Sequence, residues 1–564
     1  MLATRGFVVG GLIAFHRTLK HTKKNCLLTT GGSFLPLDKR EVERAEVVDD
    51  FLLHVTDENE RLFTLILDPL RGLKLSDQEF ILLRLIAFFA PGSLFFHFNS
   101  QFYWRLKKYP PGPIPLPLVG NLLQLKWTKN WEQKFLEWRE EYGPIYTLWL
   151  GLDPAVTVNE YDELLDTLVN DADTYADRAS IDALNRLIRG GNYGIIDSNG
   201  ELWREQRRFT LRILRDFGMG KNQMETRIMD ELHTIFERLN ADVAAGQEDV
   251  DLCRLTDVAV GSVLNSVAVG YRYTIDDREG EFYEMKELSE RIVSLFVDPV
   301  IGTLARSELL SSLPFVRKRL EPIVSAYKRI YSHLDEVIDQ HLKQNDYSDE
   351  SLEPHDFIDA FLLEQHRQNK KANNPHYYDR KQLHNLSFDL WLAGQESTST
   401  KITWCIGFLI DHPEVQQKVH EEFDRVIGSD RMIAMSDRLS LPYTNAVILE
   451  NLRITTVGMN VARRTTRPVE LAGRVLPVGT IVMPQVSAVC FDPQHFKKPN
   501  LFDPTRFLDE KGQLKRADQV VSFSVGKRQC PLTAGSIPPQ LNPSGAQGNF
   551  VPARFTCRVE KRFK

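Results

Sequence analysis

Apolar residues recur mostly at helical spacing along this chain, and a few short apolar runs bounded by glycine or proline predict strands. Helices are expected at residues 131–142, 222–240, 281–298 and 321–344. Strands are expected at residues 145–150, 155–158, 469–476 and 480–488. The pattern therefore predicts a mainly α protein with a small β region.

The segment of residues 386–411 differs from the amphipathic helices, because its apolar residues are not confined to one stripe. Such a helix is expected to run through a core. Its middle holds Gly394, Glu396 and Ser397, and the glycine is expected to leave space on one side. An acid and a hydroxyl beside that space suit proton delivery to a bound oxygen ligand. The alternative is a polar notch satisfied by neighbouring backbone.

Residues 85–104 form the longest stretch without Asp, Glu, Lys or Arg near the start of the chain. They have the length of a membrane anchor, although Pro91 and Gly92 interrupt them. The rival interpretation is a buried soluble helix followed by a loop. Residues 105–117 follow as a basic, proline-rich hinge, whose cations would keep the downstream chain cytosolic.

Composition narrows the function classes. The chain has 564 residues, of which 42% are hydrophobic, enough for a large core. Its net charge of −6 gives no basic field that would favour nucleic acid as a partner. The six cysteines are scattered and form no CxxC pair, which argues against a disulfide framework or a zinc site.

Two pairs of side chains at helical spacing are candidates for anion binding and for a buried network. Trp203 and Arg207 lie four residues apart, so that an indole N–H and a guanidinium on one face suit a carboxylate ligand. The alternative is an exposed helix that packs Trp203 and solvates Arg207. Glu450 and Arg453 lie three apart among apolar neighbours, which predicts a partly buried ion pair.

The loop from Phe523 to Cys530 is the candidate metal-ligand loop. Gly526 allows a tight turn, and Lys527 and Arg528 supply the positive charge that keeps a thiolate ionised. Cys530 is therefore a candidate sulfur ligand for iron. The alternative is a surface turn with an incidental cysteine.

Taken in order, these motifs resemble the cytochrome P-450 family, of the microsomal type found in animals. Their sequences are most similar to nematode members. The resemblance covers residues 105–531 and rests on the proline-rich hinge, Trp203…Arg207, the run at residues 393–398, Glu450…Arg453, Phe502…Arg506 and Phe523…Cys530. It implies a mainly helical fold with a small sheet region, haem b, and O2 as co-substrate.

The resemblance also implies a role for each matching residue. Cys530 is the axial thiolate, and Phe523 and Gly526 are implied to bind the cofactor with it. Haem propionates are implied to be held by Trp203, Arg207, Arg464 and Arg528. Protons are implied to pass through Glu396 and Ser397. A structural network is implied for Glu450, Arg453 and Arg506.

The implied reaction inserts one oxygen atom from O2 into a lipophilic small molecule, either an endogenous lipid or a foreign compound. Electrons are implied to come from NADPH through a flavoprotein reductase. The haem-thiolate domain, residues 118–531, is implied to lie on the cytosolic side of the endoplasmic reticulum membrane.

Three departures from the family pattern qualify this expectation. Ser397 stands where the family has threonine, and the pattern ends after residue 531. Residues 532–564 are therefore expected to be a disordered tail, and the fold is expected to lack its C-terminal helix and strands. The alternative function is accordingly a truncated, inactive relative with impaired haem binding.

The third departure is an atypical N-terminal extension, residues 1–84. Over about twenty residues, the sequence of its last part is similar to a helix of nuclear-receptor ligand-binding domains. A receptor-like chimera that binds a lipophilic ligand is the minor alternative.

Overall fold

The computed structural model is predominantly helical, as predicted. It describes residues 26–28, 34–36, 105–116, 119–126, 131–218, 222–247, 249–274, 277–297, 314–371, 377–429, 431–456, 461–530, 557 and 559. None of the helices in these ranges is long and apolar enough to cross a membrane. The predicted anchor at residues 85–104 and most of the predicted extension and tail lie outside the described residues.

The helices are α1 (Leu122–Lys126), α2 (Trp131–Tyr142), α3 (Tyr161–Leu165), α4 (Asp182–Ile188), α5 (Gly200–Asp216), α6 (Asn222–Ala244), α7 (Leu252–Ala268), α8 (Glu279–Val297), α9 (Pro314–Gln344), α10 (Phe357–Lys370), α11 (Arg380–Asp411), α12 (Pro413–Val426), α13 (Pro442–Ile454) and α14 (Val486–Cys490). The strands are β1 (Cys26–Leu28), β2 (Phe34–Pro36), β3 (Ile145–Leu150), β4 (Asp153–Val158), β5 (Asp177–Arg178), β6 (Arg463–Arg464), β7 (Val469–Leu471), β8 (Arg474–Leu476) and β9 (Ile481–Pro484).

The chain divides into two compact units. One comprises residues 1–109 and 115–127, and the other comprises residues 110–114 and 128–564. In the first unit, β1 and β2 form an antiparallel pair. The second unit contains every predicted site residue.

A five-stranded sheet in the second unit has the order β3-β4-β9-β6-β5. Only β4 and β9 run parallel, and the other neighbours are antiparallel. At the far edge, Arg178 on β5 pairs with Arg463 on β6, and Asp177 pairs with Arg464. The sheet thus brings Arg178 beside the adjacent arginines Arg463 and Arg464, which are distant from it in sequence.

The largest core cluster is made by helices α4, α5 and α7–α11, and α11 runs through it. The predicted central helix ends at Asp411 as expected but starts at Arg380, six residues earlier than the apolar pattern indicated. The Asp379 side chain caps it by accepting a hydrogen bond from the Gln382 backbone N–H. The added residues were missed because Gln382, His384 and Asn385 are polar but are buried by partners that the sequence does not reveal.

The strand predicted at residues 480–488 is wrong in its second half. The strand β9 ends at Pro484, and α14 follows at once. The Gln485 N–H donates to the Val158 carbonyl at 2.8 Å, which closes the pairing with β4. The predicted strand at residues 469–476 is a hairpin of β7 and β8.

One contact involves the end of the chain. Cys557 and Val250 exchange both backbone hydrogen bonds, at 3.1 and 3.0 Å. Val559 packs against the apolar cluster of Leu239, Val250 and Leu255. Cys557 and Val559 therefore belong to the folded body, whereas the predicted disorder of the rest of residues 532–564 falls on residues that are not described.

Candidate active site

The loop of Phe523–Cys530 is closed by its own backbone. The Cys530 N–H donates to the Phe523 carbonyl at 3.2 Å, and the Gln529 N–H donates to the Gly526 carbonyl at 3.0 Å. Cys530 is partly exposed rather than buried. Its sulfur is therefore carried on a short, tightly folded loop.

Gly526 is required at its position for two physical reasons. Its φ is +77°, in the left-handed region that favours glycine. A Cβ there would lie 1.8 Å from the Leu168 carbonyl oxygen. The loop therefore packs directly on the backbone near α3, and any larger residue would push it away.

Arg528 anchors the loop from inside. Its Nε donates to the Ala176 carbonyl at 2.6 Å, and its Nη2 donates to the Ser198 carbonyl at 2.7 Å. Its guanidinium lies 3.6 Å from the centroid of the Trp203 ring. Burial, followed by repulsion from Arg178 and Arg207, lowers the pKa of Arg528 to about 8. Its hydrogen bonds to backbone go to neutral acceptors, and the charges of Asp177 and Asp197 only partly oppose the fall in its pKa.

Trp203 and Arg207 project from α5 toward the same loop. The Nη2 of Arg207 donates to the Gln529 carbonyl at 2.7 Å, next to Cys530. Burial lowers the pKa of Arg207, and a Cys530 thiolate would partly restore it. Trp203 is only 4% exposed, so the structure keeps the indole inside while Arg207 reaches the cysteine loop.

The paired strands β5 and β6 add three further guanidinium groups. Arg463 Nη2 donates to Ser524 Oγ at 3.3 Å, and Arg464 Nη2 donates to the Ser180 carbonyl at 3.2 Å. Arg178 Nε donates to the Ile196 carbonyl at 3.1 Å. Burial lowers the pKa of Arg178 to about 10, and the charge of Asp197, followed by that of a Cys530 thiolate, opposes that shift.

The five arginines of the site share one property: within the described chain, none forms an ion pair with a carboxylate. They are Arg178, Arg207, Arg463, Arg464 and Arg528. Buried donors without partners accompany them, namely Trp203 Nε1, Arg178 Nη1, Arg463 Nη1 and Arg464 Nε. Buried cations and buried N–H groups are costly unless an anion or acceptor satisfies them.

These donors fit haem b. A cluster of guanidinium and indole N–H groups suits carboxylates such as the two haem propionates, since arginine binds carboxylates through charge-assisted hydrogen bonds. A cysteine in the same positive surroundings suits an iron ligand, because nearby cations favour the thiolate. The residues present therefore suit both the propionates and the iron of that cofactor.

On the central helix α11, Ser397 Oγ donates to the Ala393 carbonyl one turn earlier, at 2.6 Å. The space predicted beside Gly394 is not open. A Cβ at Gly394 would lie 2.8 Å from the methyl groups of Leu264, so the glycine permits α7 to approach closely. The prediction of a gap there is wrong, because a neighbouring helix fills it.

Glu396 is the most perturbed carboxyl near this turn. Burial raises its pKa to about 6, while Lys286 opposes the rise. Its Oε1 is buried without a hydrogen-bond partner. A carboxyl that titrates near neutrality can both give and accept a proton there.

Glu450, Arg453 and Arg506 form one buried network. Arg453 binds both oxygens of Glu450, at 2.7 and 2.8 Å, and both side chains are fully buried. Arg506 Nε donates to Glu450 Oε1 at 3.1 Å. Arg453 also donates to the Cys490 carbonyl at 2.8 Å. The network thus joins α13, α14 and the segment that carries Arg506.

Sequence reasoning missed Arg178 and Arg463 as members of the arginine cluster. Arg178 stands on a two-residue strand that no periodicity marks. Arg463 precedes the predicted Arg464, and only the strand register shows that it faces Ser524 of the cysteine loop. The adjacent arginines at 463 and 464 were the one available signal.

Comparisons with known proteins agree with this geometry. A family model described as Cytochrome P450 matches residues 110–531. The chain is 35% identical to rabbit (Oryctolagus cuniculus) cytochrome P450 2G1 over 75% of this chain and 83% of the relative. It is 34% identical to mouse (Mus musculus) cytochrome P450 2A12, over 76% and 84% of the two chains. It is also 34% identical to human (Homo sapiens) cytochrome P450 2A6, over 75% and 83%.

Proposed function

Because the chain belongs to the cytochrome P450 family, we propose that Cys530 is the thiolate ligand of its haem b. Family membership makes the protein a monooxygenase of lipophilic small molecules that works with a reductase. The observation that carries the assignment of Cys530 is the cluster of five buried or half-buried arginines around its loop. None of the five forms an ion pair with a described carboxylate, and Asp177 and Asp197 only partly offset the effect of burial, so the cluster suits an anionic cofactor.

The proposal gives each member of the cluster a task. The propionates are held by the indole of Trp203 and by four of the arginines, namely Arg207, Arg463, Arg464 and Arg528. Arg178 adds positive charge. The same charges favour the Cys530 thiolate. When bound, haem b supplies the iron centre at which O2 is activated. The protein's own part is to orient that group, hold its carboxylates and position protons.

Proton handling is assigned to α11. Glu396, with its pKa raised to about 6, is mostly ionised at neutral pH and still readily protonated. The Ser397 hydroxyl donates a hydrogen bond to the Ala393 carbonyl, which fixes the position of its proton. The family's threonine has a methyl group that Ser397 lacks. The Ser397 hydroxyl is therefore less restricted in rotamer than that of the threonine. We expect proton delivery through Ser397 to be less tightly controlled.

We further propose an endoplasmic reticulum location with the haem domain in the cytosol, where an NADPH-dependent flavoprotein reductase supplies electrons. The support is the similarity to cytochrome P450 2A and 2G proteins, together with the cations at Arg105, Lys107 and Lys108. A membrane surface is accordingly a proposed partner, and nucleic acid is not.

An oxygen-incorporation experiment tests this function. The haem-loaded full chain, with reductase and NADPH, is supplied with isotopically labelled O2 and a panel of lipophilic substrates. One labelled atom should enter a product, and Cys530→Ser should abolish the incorporation. A wild type that folds but fails to take up haem, or that incorporates no label from any substrate of the panel, would favour the alternative of an inactive relative.

A further inference from the structure

We propose that Lys401 is a positioning residue for the monooxygenase reaction. Its side chain connects the turn of α11 that carries Ser397 to the end of α13. The inference rests on the proposed role of Ser397. Lys401 lies four residues after Ser397, so both project from the same face of the helix. No sequence motif marks this lysine, and neither the haem assignment nor the proton path uses it.

The Lys401 amine makes two contacts with one residue. Its Nζ donates to the carbonyl oxygen and to Oγ1 of Thr455. Thr455 is the C-cap of α13, and its hydroxyl in turn donates to the Asn451 carbonyl at 2.6 Å. Because the C-terminal end of a helix carries partial negative charge, a cation there is stabilising. Lys401 thus caps α13 from a neighbouring helix.

The end of α13 is connected to the cysteine loop. Thr456 Oγ1 lies 2.7 Å from Ser522 Oγ, and Ser522 also donates to the Leu452 carbonyl at 2.6 Å. Ser522 directly precedes Phe523, where the loop of Cys530 begins. The Lys401–Thr455 contact therefore links the helix of Ser397 to the framework that holds Cys530. Its loss would let these two parts of the site move relative to each other.

The charge of this lysine is not matched by a carboxylate in the described chain. Burial lowers the pKa of Lys401 to about 7, and the charge of a Cys490 thiolate on α14 would only partly oppose that. The charge of Arg453, on α13, opposes the rise that burial causes in the pKa of Cys490. A neutral amine is a weaker donor than an ammonium. The Lys401–Thr455 contact is therefore expected to weaken as pH rises through neutrality.

A lysine that only stabilises the fold would make the unfolding free energy depend on pH, but it would leave the spectrum of the bound haem unchanged. A positioning lysine should give the haem environment a pH dependence that disappears with the amine. The test compares the full-length, haem-loaded wild type with Lys401→Met and Lys401→Arg, and uses the exposed lysine variant Lys343→Met as a matched control. The readout is the Soret absorption of the ferric protein across neutral pH, which does not require turnover.

Wild type and Lys343→Met should show a one-proton spectral transition centred near pH 7. Lys401→Met should lack it, and Lys401→Arg should keep the low-pH spectrum throughout because its guanidinium stays charged. If Lys401→Met does not fold, Lys401→Arg alone decides the matter. A transition that persists in either Lys401 variant, or is absent from wild type with an intact thiolate spectrum, overturns this inference alone. A wild type that binds haem without thiolate ligation overturns the proposed function as well.

Discussion

At the scale of single residues, the buried pair of Glu450 and Arg453 predicts a large stability effect. Arg453→Met would leave the fully buried Glu450 with only Arg506 as its cation, and breaking such a pair costs about 3–5 kcal/mol. The half-exposed pair of Arg329 and Glu284 provides a control. Arg329→Ala should cost no more than about 1 kcal/mol. Denaturant unfolding of the full chain measures both, and equal losses would contradict the assignment of a structural network.

Trp203 provides a second test at residue scale, because its Nε1 is buried without a partner. Trp203→Phe keeps a ring for Arg528 to stack on and removes only the N–H donor. Without haem, stability should change little. With haem, the loss of one hydrogen bond to a charged group, worth about 1.5–3 kcal/mol, should weaken cofactor retention roughly 10- to 100-fold.

Trp391 is the matched control for that substitution. Its Nε1 is also buried without a partner, but it lies in the helical core. Trp391→Phe should leave haem retention unchanged in transfer of the cofactor to an acceptor protein. If both variants lose haem at the same rate, the indole of Trp203 does not bind the cofactor.

Lys401 also predicts how stability depends on pH. Its pKa falls on folding from about 10.5 to about 7, so between these values the unfolded chain binds more protons than the folded chain. The unfolding free energy of the wild type should therefore rise with pH in that window, by at most about 1.4 kcal/mol per pH unit. Lys401→Met should lose this rise relative to wild type. Parallel pH profiles of the two proteins would show that the amine stays charged in the fold.

At the scale of elements, the cysteine loop depends on its contact with the backbone at Leu168. Gly526→Ala should displace the loop, because the new methyl group would overlap the Leu168 carbonyl. Gly512→Ala is the matched control. Gly512 has a similar positive φ, 72°, but open space around it. It should cost only the conformational strain, about 1–2 kcal/mol, and retain haem. Equal haem content in the two variants would refute the packing argument.

Single elements also show where prediction from sequence stops. The helix α11 and its end at Asp411 could be predicted, because apolar composition and Pro413 mark them. The start at Arg380 and the turn from β9 into α14 could not, because each depends on a tertiary partner. The same limit applies to the notch at Gly394, which Leu264 fills from α7.

At the scale of the whole molecule, the fold class and the motifs on long helices could be predicted from local pattern. The charge balance of the site could not. Its arginines come from α5, β5, β6 and the cysteine loop, and only strand pairing between residues almost three hundred positions apart brings Arg178 beside Arg463. Register is normally specified by a hydrophobic alternation or a connecting turn, and these two-residue strands have neither.

The central claim is that Cys530, within this arginine cluster, binds haem iron as a thiolate. The absorption spectrum of the reduced, carbon-monoxide-bound full chain tests it most directly. Wild type should show the thiolate-shifted Soret band, and so should Cys557→Ser, which changes a cysteine in another part of the fold. Cys530→Ser should lack the band. Its absence from a folded, haem-supplied wild type, or its persistence in Cys530→Ser, would contradict the claim.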